Sequence, residues 1–82
     1  MTSLQQMLTT LSAEQMQRID SVLTDANIAY SAGNGRRVSA IFKQAKNDSR
    51  GKLKKIFAAF QKAEPEAAKR ALDLHFAYRK NL

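Results

Sequence analysis

Cysteine is absent from this 82-residue chain, which excludes a disulfide framework and a thiolate zinc site as ways of holding so small a fold together. Hydrophobic burial must do that alone. Histidine is nearly absent: His75 stands by itself. One imidazole without other ligands at suitable spacing makes no metal centre, so His75 is expected as a packed or interfacial residue. No run approaches the roughly 20 apolar residues of a membrane span. Residues 1–11 also lack a basic stretch leading into a continuous apolar one, and the chain is read as cytoplasmic. There is no Walker-type loop, no G-x-S-x-G elbow and no Cys–His pair. Glu64 and Glu66, two residues apart, do not face each other as a catalytic pair and suit a helix start instead. Neither enzymatic activity nor a cofactor is expected.

Strand patterning is missing as well. No segment alternates polar and apolar residues, β-branched residues are scattered, and no fixed repeat or low-complexity tract occurs. Helical spacing is what the chain has in quantity. Leu4, Met7, Leu8 and Leu11 predict a helix over 3–11. Ser12 and Gln15 form a capping-box pair ahead of Met16, Ile19, Leu23, Ala26 and Tyr30, predicting a second helix over 13–31 that the Gly33-Asn34-Gly35 run ends. Ile28 falls on the polar side of that helix. Val38, Ile41, Phe42 and Ala45 predict a third helix over 36–47, and Leu53, Ile56, Phe57 and Phe60 a fourth over 50–62.

Pro65 suits the first position of a fifth helix over 65–80, where its missing N–H costs nothing. The apolar residues of that last helix spread over more than half its circumference, so it is either the central packing element or half of a homodimer interface, with Leu74, Tyr78 and Leu82 as the contacts. Short connections between helices favour antiparallel neighbours, and the fold expected is an all-α, single-domain bundle of four or five short helices over residues 1–82.

Charge is divided unevenly. Residues 1–35 hold one base against three acids, a net of −2, whereas residues 36–82 hold 13 bases against four acids, a net of +9. Such an excess exceeds what solubility needs and attracts an anionic partner, with nucleic acid first among the candidates. Successive helix positions are about 100° apart, so with the third helix's stripe turned inward Arg36 and Lys43 project outward and Lys46 lies on the flank. In the fourth helix Lys55 and Lys62 project outward, with Lys52 and Lys54 on either side of the stripe. Arg36-Arg37 and Arg50-Gly51-Lys52 sit near helix N-termini, where the macrodipole disfavours cations by about 0.3–1 kcal/mol each. An anion held by exposed backbone N–H groups would reverse that penalty.

Phe42, Phe57 and Phe60 lie on core stripes rather than on a stacking surface, which leaves Tyr30, near Arg36-Arg37, as the one aromatic to test against a base. Residues 29–43 can be laid on a helix-turn-helix, but two glycines and an asparagine read as a looser turn than that motif uses. The expectation is a DNA- or RNA-binding protein that contacts phosphates through its third and fourth helices. The alternative is a small interaction module or inhibitor whose basic face docks an acidic protein surface.

Overall fold

Ser12 opens the longest helix as the sequence predicts: its hydroxyl accepts from the Gln15 backbone N–H, and the Gln15 side chain accepts in return from the Ser12 N–H at 2.9 Å. The computed structural model describes residues 4–80. Over that span it forms five helices and no strand: α1 (Leu4–Thr9), α2 (Ala13–Ser31), α3 (Gly35–Asp48), α4 (Gly51–Lys62) and α5 (Pro65–Lys80). All-α architecture is therefore confirmed. The first helix stops two residues earlier than expected because the hydroxyls of Thr9 and Thr10 donate to the carbonyls of Gln6 and Met7, both at 2.9 Å, and close its end. Position 3, the expected start of that helix, lies outside the described residues.

The α2–α3 connection is tighter than its composition suggests. Asn34 N–H reaches the Ala29 carbonyl and Gly33 N–H reaches the Tyr30 carbonyl, the paired bonds of a Schellman ending, with Gly33 at φ +70°. Asn34 then turns its side-chain oxygen to the Arg37 backbone N–H at 3.1 Å and caps α3. One residue thus ends α2 through its backbone and starts α3 through its side chain. Gly35 is already helical, so the link is Ala32–Asn34 and not the loose glycine turn expected from the sequence.

Each helix packs chiefly on two others, in the ring α1–α4–α3–α2–α5 and back to α1. Inside it lie Leu8, Ile19, Leu23, Ile56 and Leu72 with the rings of Phe42, Phe57 and Phe60. Phe42 stacks on Phe60 with centroids 4.9 Å apart and planes 8° apart, and meets Phe57 at 6.4 Å and 37°. These lie within the range of favourable aromatic pairs, worth about 0.5–1.5 kcal/mol each beyond burial. Five residues of the expected stripes, Leu4, Met7, Tyr30, Ile41 and Leu53, are only partly buried; Ala29 is buried instead of Tyr30, because the Schellman ending brings the start of α3 against Ala29. Helix α2 stays regular through Ile28, whose side chain is 63% exposed.

Polar contacts join α2 to α5. Arg79 donates to Asp20, and Lys69 Nζ donates to Asn27 Oδ1 at 2.6 Å and Asp73 Oδ1 at 2.9 Å. The broad apolar arc read on α5 divides accordingly. Ala68, Ala71 and Leu72 enter the core, while Leu74 and Tyr78, 42% and 45% exposed, lie on the flank turned away from α2. Leu82, the third residue named for self-association, lies outside the described residues.

Phe57→Ala is expected to cost about 3–5 kcal/mol, since it deletes a buried ring and its contact with Phe42. Urea unfolding followed by circular dichroism measures this. An unchanged midpoint would mean that the ring is not part of the core.

Candidate functional site

Because Val38, Phe42 and Ala45 anchor α3 in the core, the opposite side of that helix carries Arg36 and Lys43, both exposed. Lys46 is half-buried on the flank shared with Ser39. Ser39 borders a cavity with Gln61 of α4, so this flank of α3 faces α4. On α4, burial of Ile56, Phe57 and Phe60 leaves Lys55 and Lys62 outward, while Lys54, seven residues before Gln61, lies on the flank facing α3. Packing of α3 on α4 therefore puts Arg36, Lys43 and Lys46 on the same side of the molecule as Lys54, Lys55 and Lys62.

Three of the expected site residues are drawn elsewhere. Lys52 Nζ donates to the Thr10 carbonyl at 2.9 Å, tying the start of α4 to the end of α1. Arg37 lies on the α2 side of α3, where it borders surface recesses with Asp25 and Ile28. Arg50 occupies the α3–α4 turn and borders a recess with Arg18, Asp48 and Leu53. Lys52 and Arg37 thus belong to the edges of the α3–α4 surface rather than its centre.

The two helix starts read as anion seats differ from each other. Asn34 occupies one backbone N–H of α3, whereas the cap residue of α4, Arg50, makes no side-chain capping bond. Gly51, with φ +61°, takes the left-handed conformation that a side chain would resist.

Electrostatically the surface is uncompensated. Among the described residues only Arg18, Lys69 and Arg79 are ion-paired, with Glu14, Asp73 and Asp20. None of the nine cations expected from the sequence has such a partner there. Asp48, the acid that shares α3 with them, accepts instead from Gln44 Nε2 at 2.9 Å. Exposed lysines on flexible stems suit contacts with many phosphates in turn rather than one fixed ion pair.

Sequence reasoning missed the cavity bordered by Ser39 and Gln61, because its lining comes from α2, α3 and α4 and both connecting turns. One signal was present: Arg36 and Lys43 bracket Ser39 at i−3 and i+4, the spacings of side chains that share a helix face. No family model matches the chain, and no curated protein or solved structure matches it.

His75 faces the core with 4% exposure, its ring edge-on to Phe76 at 5.5 Å. Nε2 has no hydrogen-bond partner among the described residues, and burial pushes the imidazole below its ordinary value of 6.5. The folded state therefore holds His75 neutral, while the unfolded chain takes a proton near the ordinary value. Stability should be fully present above about pH 6.5 and fall as the pH drops below it. His75→Leu should remove that dependence between pH 7.5 and 5.5 and raise stability by about 1 kcal/mol or more, since a buried unpartnered polar atom is removed. Thermal melting at the two pH values checks this; an equal pH response in the variant would acquit His75.

Proposed function

We propose that this chain is a non-enzymatic nucleic-acid-binding protein that holds backbone phosphates on the outer surface of α3 and α4. The observation that carries the reading is the set of six cations, Arg36, Lys43, Lys46, Lys54, Lys55 and Lys62, gathered on two packed helices with no ion-pair partner among the described residues. Their mutual repulsion is a cost that a polyanion removes, and each phosphate neutralised releases condensed counterions, which favours association further at low salt. Both ends of this surface start a helix, so backbone N–H groups add to the field of the side chains. Among the described residues no helix is long and apolar enough to cross a membrane. Self-association through Leu74 and Tyr78 is compatible with this reading, since α5 packs chiefly on α1 and α2 and leaves the outward rows of α3 and α4 open.

Lys55→Glu combined with Lys62→Glu tests the surface, because both positions are exposed and neither supports the core. The folded variant is expected to bind duplex and single-stranded probes at least tenfold more weakly at about 50 mM salt, with a salt slope shallower by about two units because two fewer phosphates are neutralised. Unchanged affinity and slope would mean that these lysines are only solvated. A parent protein that binds no probe at that salt would overturn the reading in favour of an acidic protein surface as the partner.

A further inference from the structure

Two turns meet beside the basic surface, the α2–α3 link at Gly33 and the α4–α5 link at Ala63 and Pro65, and both border one cavity of about 330 Å³. That volume lies at the small end of ligand sites, which suits one ring system rather than an extended ligand. Val38, Phe42 and Phe60, all buried, give it apolar walls. Tyr30, Ser39 and Gln61 bring polar atoms to the same space, and none of these three side chains hydrogen-bonds to another described residue. An apolar slot with unused donors and acceptors at its border is the setting that a flat, hydrogen-bonding heterocycle fits.

The surroundings say what such a ring is attached to. Ser39 has Arg36 one turn before it and Lys43 one turn after it on the same exposed face of α3, and neither cation is ion-paired among the described residues. Glu64, an exposed acid, stands in the chain between Ala63 and Pro65, which line the cavity from the α4–α5 turn, so phosphates are favoured on the α3 side. We propose that the cavity receives an unpaired base of a nucleic-acid single strand whose neighbouring phosphates lie on Arg36 and Lys43. The inference rests on the phosphate-binding reading above and narrows it. A base held in a duplex is stacked and paired and cannot enter, whereas in a single strand it swings out freely and its aromatic face finds a partner.

The test titrates the full chain with a short single strand carrying one 2-aminopurine, with a fully abasic strand of the same length, with the first strand annealed to its complement, and with adenosine monophosphate. The strand with bases is expected to bind roughly tenfold tighter than the abasic strand and tighter than the duplex, with a change in 2-aminopurine fluorescence. Ser39→Tyr, which fills the mouth from an exposed helix position, should abolish that preference while keeping the salt slope. Equal affinity for the natural and abasic strands overturns the base pocket but leaves the phosphate surface standing. The same holds if a folded Ser39→Tyr keeps the preference. Adenosine monophosphate binding as tightly as the strand would make the cavity a free-nucleotide site instead. Failure of every polymeric probe to bind overturns the phosphate reading together with this one. Should Ser39→Tyr not fold, the comparison of natural with abasic strand on the parent decides alone.

Discussion

The packing of Phe42 between Phe57 and Phe60 is the contact on which the rest of the molecule depends. It is the aromatic junction of α3 with α4, and with no disulfide in the chain the relative rotation of these two helices is set by how side chains fill space. Once Val38, Phe42 and Ala45 point inward, Arg36 and Lys43 point away, since at about 100° per residue they fall roughly 130–150° around the helix from the centre of that stripe. The same geometry on α4 carries Lys55 and Lys62 outward from Phe57 and Phe60. A core contact therefore determines the display of charge on the surface.

Three of the seven acids are paired away from that surface. Asp20 and Asp73 bind Arg79 and Lys69 along the α2–α5 seam, and Glu14 pairs with Arg18 within α2. In water two like charges 4 Å apart repel by about 1 kcal/mol, and less when salt screens them. An exposed cluster is therefore tolerable in a small fold, yet it gains directly when an anion arrives. The cavity at the turns lies beside this cationic surface and has buried Val38, Phe42 and Phe60 among its lining residues, and the proposed ligand, with a flat ring and a charged backbone, would answer both features.

Local chemistry made most of the fold legible in advance. Ser12 with Gln15, the glycine at position 33 and Pro65 each act within one turn of chain, and the helices begin or end beside them. The features that could not be read join residues far apart. Lys52 meets Thr10 across 42 positions, an attachment that no helical wheel of α4 contains. Arg37 turns to α2 and not to α4 because of how α3 leans on its neighbours, and Tyr30 gives up its core place to Ala29 for the same reason. Gly35 looked like part of the turn because glycine disfavours helices, but Asn34 supplies the cap that lets the helix begin there. The outward rows of cations were visible from spacing alone; the cavity beside them was not, since its lining is assembled from several elements.

The most direct measurement is a backbone amide NMR map of the folded chain titrated with a short single-stranded oligonucleotide at low salt. Binding as described predicts shifts concentrated on the exposed residues of α3 and α4, from Arg36 through Lys62, with Tyr30 and Ser39 among those that move, and with the outer face of α5 around Leu74 unchanged. Shifts confined to α2 or α5, or no shifts at concentrations where a charged surface of this kind should be occupied, would contradict it.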